Sequence, residues 1–166
     1  MVNQLIRTFE SVQRIPYKRR AKFFEILNIN VSYANCIQKR DLLRESLERY
    51  RYETRCLEAI FDWRDLPIPK DILKILRKSG TLQKHHLLEV MVNGNYLKVD
   101  PTWNLELEEK GFPVTKNWDG KSNTIQISLG KIIFYDPKDQ RVSFPYYPYE
   151  RREFAEEFNK WIGWSY

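Results

Sequence analysis

The sequence predicts an α+β domain in which helical patterns come first and antiparallel strands follow. Three observations carry this. Residues 2–14 place Val2, Leu5, Ile6 and Phe9 on one helical stripe. The stretch KHHLLEVMVNGNYLKVD holds two runs joined at Asn93-Gly94, the strongest short-range hairpin signal. No repeat or low-complexity linker divides the 166 residues, so one domain over 1–166 is expected, with 145–166 as an aromatic-rich helical segment at its end.

The other elements follow in order. Residues 21–28 form a short helical candidate after Pro16 and a basic run, and Asn28 to Asn35 reads as a loop. A helix should begin at or near Cys36, with Leu43, Leu47 and Tyr50 following on one buried stripe. Residues 52–63 have strand character until Pro67 and Pro69 intervene, and 70–79 form a helix candidate ended by Gly80. Strands are expected at 84–92, 95–100, 124–128 and 131–135, the last two turned at Leu129-Gly130. An amphipathic helix over 149–161 closes the chain, and Tyr146, Tyr147 and Tyr149 are expected to pack it onto the sheet rather than to line a substrate groove.

Composition narrows the class. Hydrophobic residues at 42% and charged residues at 30% describe a globular chain able to bury a core without disulfides or metal. The net charge of +6 permits an acidic partner, but the basic runs are scattered among acids, which favours a solvated surface over a nucleic-acid footprint. The opening MVNQLIRTFESVQR lacks a signal-peptide pattern, and no apolar run reaches the length of a membrane span. A cytoplasmic location is therefore expected, with Cys36 and Cys56 reduced. Two histidines and two cysteines without close spacing give no zinc pattern, so neither metal nor cofactor is expected.

The hairpin carries the chemistry. A two-residue turn pairs Val92 with Asn95, and counting outward sets Met91 opposite Tyr96, Val90 opposite Leu97, Glu89 opposite Lys98, Leu88 opposite Val99 and Leu87 opposite Asp100. Leu88, Val90, Leu97 and Val99 then share an apolar face, and Glu89 and Lys98 form a favourable cross-strand pair. His85 shares the face of Leu87, so it is a diagonal neighbour of Asp100, with backbones roughly 7–8 Å apart. His86 points to the apolar face and is excluded. An aspartate bonded to one imidazole nitrogen fixes the tautomer and leaves the other free to take a proton. Cys36, at a predicted helix N-terminus, is the candidate nucleophile, since the helix dipole and free N–H groups favour a thiolate. Taken singly, each residue has a plainer reading. A cysteine on an apolar stripe is usually a core residue, a strand histidine is usually structural, and an aspartate before proline often just forms a turn.

The order Cys36, His85, Asp100 resembles the transglutaminase core, a branch of the papain-like superfamily. His85 opening a strand, Glu89 four residues on, and Asp100-Pro101-Thr102-Trp103 closing the hairpin match that layout. IPYKRR followed by NCIQKRDLLRESL resembles the pattern upstream in bacterial and archaeal members. The resemblance spans roughly residues 12–120, about two thirds of the chain. Ala34 stands where relatives often carry Gly, and Ile37 where many carry Trp, which alters the approach loop and one wall of the acyl site. The resemblance implies a papain-like fold with a nucleophile-bearing helix packed on an antiparallel sheet. It implies Cys36 as nucleophile, His85 as general base and acid, and Asp100 as its orienter. The implied chemistry is acyl transfer from a peptide, protein or small amide, as a peptidase, amidase or transglutaminase, with hydrolysis favoured. Part of an oxyanion hole would come from the Cys36 N–H, with Asn30, Tyr33 and Asn35 as candidates for the second donor. The alternative is a noncatalytic binding module on the same scaffold. Substrate identity, oligomeric state and pathway are not encoded in any motif.

Overall fold

The computed structural model describes residues 2–20, 32–139 and 143–164. The helical candidate at 21–28 lies outside the described residues, as do residues 28–31 of the loop before Cys36. The described elements are α1 (Val2–Gln13), α2 (Cys36–Arg49), β1 (Thr54–Asp62), α3 (Lys70–Leu73), β2 (Leu82–Val92), β3 (Asn95–Val99), β4 (Ile133–Tyr135) and α4 (Pro148–Ile162). One four-stranded sheet runs in the order β3-β2-β1-β4, and every adjacent pair is antiparallel. Helices and an antiparallel sheet thus make an α+β fold.

The hairpin turn sets the geometry of the sheet. Asn93 and Gly94 both take positive φ, 50° and 84°, as a two-residue turn with the strands' own twist requires. Val92 therefore opposes Asn95, and the pairs through Leu88 and Val99 follow without a slip. Glu89 does face Lys98, but its ion partner is Arg55 on β1, at 2.6 Å. Arg55 stands directly across the other ladder, and it wins the carboxylate. Lys98 instead stands over the Phe134 ring, 5.1 Å from its centroid. These residues belong to opposite edge strands, so the sheet curls toward a half-barrel.

The two faces of the sheet bury different clusters. One face packs Leu88, Val90, Leu97 and Val99 against Leu5, Phe9 and Val12 of α1 and Leu43 and Leu47 of α2. The other gathers Phe61, Trp63, Tyr17, Trp103 and Phe112 around Phe154 and Phe158 of α4. Helix α2 starts where it does because Asn35 caps it. The Asn35 side chain accepts from Gln38 N–H at 3.1 Å, and the Gln38 side chain accepts from Asn35 N–H at 2.9 Å, a reciprocal capping box.

Four expectations need correction. Tyr50 leaves the buried stripe of α2: it is the C-cap residue and is 52% exposed, beyond the last helical turn that faces the sheet. The helix expected over 70–79 is α helical only to Leu73 and continues as a 3₁₀ turn through Leu76. Residues 124–128 are not a strand, because their backbone groups go elsewhere. Thr124 N–H bonds Lys98 O, Ile125 N–H bonds the Thr115 hydroxyl, and Ile127 O accepts from the Trp103 indole. Ile133–Tyr135 therefore pairs with β1 and not with that segment. Finally, Tyr146, Tyr147 and Tyr149 are exposed, Tyr149 to 88%; the rings that seat α4 are Phe154 and Phe158, one turn apart on its inner face.

Leu88 is fully buried between the sheet and both N-terminal helices. Leu88→Ala should lower unfolding stability by about 2–5 kcal/mol in urea titrations, whereas Leu129→Ala, at an 81% exposed site, should change it by less than about 0.5 kcal/mol.

Candidate functional site

Strand β3 ends at Val99, opposite Leu88, so beyond that pair β2 has no strand on its β3 side. The chain turns away through Asp100 and Pro101, and the opening is where three side chains meet. His85 Nε2 and Asp100 Oδ2 are 2.8 Å apart, and both residues are almost wholly buried. Asp100 is itself held: its N–H bonds the Thr124 hydroxyl at 2.8 Å, and its Oδ1 accepts from Thr102 N–H at 3.2 Å. With Nε2 committed to the carboxylate, Nδ1 is the nitrogen left for the Cys36 sulfur, which hydrogen-bonds the His85 ring. The His86 backbone N–H, unpaired by any strand at this point, also donates to that sulfur.

The electrostatics agree with the geometry. Burial alone would push the Cys36 thiol up. The His85 hydrogen bond and charge, the His86 N–H and the Arg19 charge outweigh it and bring the thiol below its ordinary value. Burial would likewise pull the His85 imidazole down, but the charge and hydrogen bond of Asp100, with the sulfur behind them, push it up to about 10. Both shifts act in the same sense, toward a thiolate–imidazolium pair. His86 is the opposite case: burial brings it down to about 4 against the support of Glu58, and the charges of Arg40, His85 and Lys84 add to the lowering. Its Nδ1 lies 3.2 Å from the Arg40 guanidinium and 3.3 Å from Glu58 Oε1.

The sequence-derived candidates separate here. Cys36, His85 and Asp100 come together. Asn35 spends its side-chain oxygen on the α2 cap. Tyr33 lies edge-on to Trp164, at 5.1 Å between centroids, beneath the Lys18 ammonium. Asn30 lies outside the described residues. Ala34 is fully buried and bridges Tyr17: Ala34 N–H bonds Pro16 O, and Ala34 O accepts from Lys18 N–H, both at 3.0 Å. Ile37 is 37% exposed.

Tyr17, Arg19 and Lys39 also stand at the site, outside the candidates the sequence suggested. The Ala34 bridge brings Tyr17 beside Cys36. Burial, and then the neighbouring sulfur, hold the Tyr17 phenol above its ordinary range, while Arg19 hydrogen-bonds it. Lys39 is fully buried, and its ammonium donates to Gln13 O, Pro101 O and Thr102 O at 2.9–3.2 Å. It ties the Cys36 helix to the end of α1 and to the loop after Asp100. Burial pulls it down to about 7 against the support of Asp100 and Glu106. The spacing Cys36, Lys39, Leu43, Leu47 places it on the buried stripe, and a lysine there was the available clue. Both cysteines are free thiols. Among the described residues, no group of three or more His, Cys, Asp or Glu could hold a metal ion, and no helix is long and apolar enough to cross a membrane.

No family model, curated protein or solved structure matches this chain.

The two titrations oppose each other in their effect on stability, so Cys36→Ala isolates the histidine. A folded-state value raised above the unfolded one means that the native state binds the extra proton. In Cys36→Ala, the contribution of His85 to stability should be complete below about pH 6.5 and fall as pH rises through the value that Asp100, without the sulfur, holds up. Adding Asp100→Asn should flatten that slope in urea titrations run from pH 6 to 9, and an unchanged slope would assign it to other groups.

Proposed function

We propose that the chain is a cysteine-dependent acyl-transfer enzyme of the transglutaminase-like type, built on a papain-like core. The observation that supports this most is the hydrogen-bonded line from Cys36 through His85 to Asp100, with the carboxylate on Nε2 and the sulfur left to the other ring nitrogen. The raised imidazole and lowered thiol each favour the protonation state from which the proposed reaction starts.

In the proposed reaction the Cys36 thiolate attacks the carbonyl carbon of a carboxamide. The π electrons move to oxygen, and the oxyanion is met by the Cys36 N–H, one of the free donors at the start of α2. The Tyr17 phenol, held protonated beside the sulfur, is a better-supported second donor than Asn35, whose oxygen serves the cap. The His85 imidazolium gives its proton to the nitrogen, the C–N bond breaks, and ammonia or an amine leaves a thioester on Cys36. Neutral His85 then takes a proton from water or an acceptor amine as that nucleophile attacks. The C–S bond breaks and the imidazolium–thiolate pair returns. Asp100 remains ionised and orients the ring throughout.

Alkylation tests this directly. Cys36 should react with iodoacetamide well below pH 8, at least tenfold faster than Cys56 in the same digest, and His85→Ala should remove that low-pH reactivity. An alkylation profile at Cys36 like that of an ordinary thiol, unaltered by His85→Ala, would favour the noncatalytic binding module. A thioester adduct on Cys36 in intact-mass spectra would identify the acyl donor by its mass.

A further inference from the structure

Beside the candidate site lies a cleft of about 230 Å³ lined by Arg19, Arg20, Gln83, Lys84, Tyr146 and Arg151. Two of its walls lead to the candidate site. Gln83 and Lys84 immediately precede His85 on β2, and Gln83 shares the face of His85. Arg19 hydrogen-bonds the Tyr17 phenol, and its charge acts on the Cys36 sulfur.

The charges in this cleft are unbalanced. Arg19 and Arg151 both donate to the same neutral acceptor, Gln83 Oε1, at 2.9 and 3.3 Å. Arg151 is buried on the inner side of α4 and, among the described residues, otherwise bonds only backbone oxygens, Ser79 O at 2.9 Å and Leu82 O at 3.3 Å. Arg19 stacks over Trp63, and its Nε is buried without a hydrogen-bond partner among the described residues. The acids nearby are engaged elsewhere: Glu150 accepts from Lys78 and Ser79 N–H, and Glu58 pairs with Lys84. Among the described residues, no carboxylate reaches either guanidinium. Two cations brought together in a partly dry cleft are costly unless an anion joins them, and paired guanidinium groups match the planar oxygens of a carboxylate.

We infer that this cleft is a subsite for the side-chain carboxylate of an acidic residue flanking the reacting carboxamide, gripped by Arg19 and Arg151. The inference rests on the acyl-transfer reading and gives it a substrate class: acidic peptides or proteins. Tyr146, exposed at the rim, would cover the stem of that side chain.

Two alkylating probes separate the possibilities: N-iodoacetyl-glutamate α-amide and its isostere N-iodoacetyl-glutamine α-amide, which differ only in the carboxylate. At pH 7 and low salt the acidic probe should modify Cys36 at least tenfold faster than the neutral one. Arg151→Gln should bring the ratio close to one. Arg151 also anchors two backbone oxygens, so Gln83→Glu provides a second test that keeps the shape. It places a carboxylate between the two arginines, and it should abolish the preference while raising the melting temperature. The remote Arg49→Gln should retain the preference. A wild-type ratio near one would overturn the subsite, and so would a preference surviving in both cleft variants, which the general field of a +6 chain would then explain. If neither probe modifies Cys36 faster than Cys56, the acyl-transfer reading itself falls, and the subsite with it.

Discussion

A histidine enclosed by protein carries charge only where a carboxylate stands against it. At His85 the carboxylate is Asp100, 2.8 Å away, and much of the local architecture serves to keep it there. Strand β3 must stop at Val99 so that Asp100 can leave the ladder and face the ring. Thr124 must reach back to hold the Asp100 N–H, and Thr102 must close on Oδ1. The end of the ladder has a second effect, because it frees the His86 N–H to point at the sulfur. One strand termination therefore supplies both the carboxylate and a backbone donor to the same opening.

The segments around this opening are joined by bonds that cross large sequence distances. Lys39 links α1, α2 and the loop after Asp100 through three carbonyls. Tyr17 N–H donates to the Asn104 side chain, and the ring meets Trp103 edge-on at 4.7 Å. Asn159 of α4 bonds the backbone of Arg19 in both directions. The chain's first and last described helices are thus tied to the same few residues beside Cys36, and a shift in any of them displaces the others.

The sequence revealed the hairpin well because its information is local. Asn93-Gly94 admits one turn, the turn admits one register, and the register puts His85 rather than His86 beside Asp100. The start of α2 was legible for a similar reason, since Asn35 and Gln38 are three residues apart and cap one another. What escaped notice depends on long-range placement. Nothing near residue 17 says that Tyr17 will lie against Cys36; that follows from a bridge to Ala34. Nothing near residue 83 says that two arginines, from the N-terminal loop and from α4, will share its amide oxygen. The expected strand at 124–128 failed because alternation in sequence does not show that side chains of Thr115 and Trp103 will claim its backbone groups.

The short outer strands have a consequence for how the protein behaves beside copies of itself. An open sheet border is a template onto which another chain can add, and long flat borders seed aggregates. Here one border is only three residues long, Ile133–Tyr135. At the other, Lys98 N–H is taken by Asn123 and Lys98 O by Thr124, so the chain's own loop occupies the places an intruding strand would need. The irregular segment that replaces an expected strand therefore works as a guard rail along the sheet.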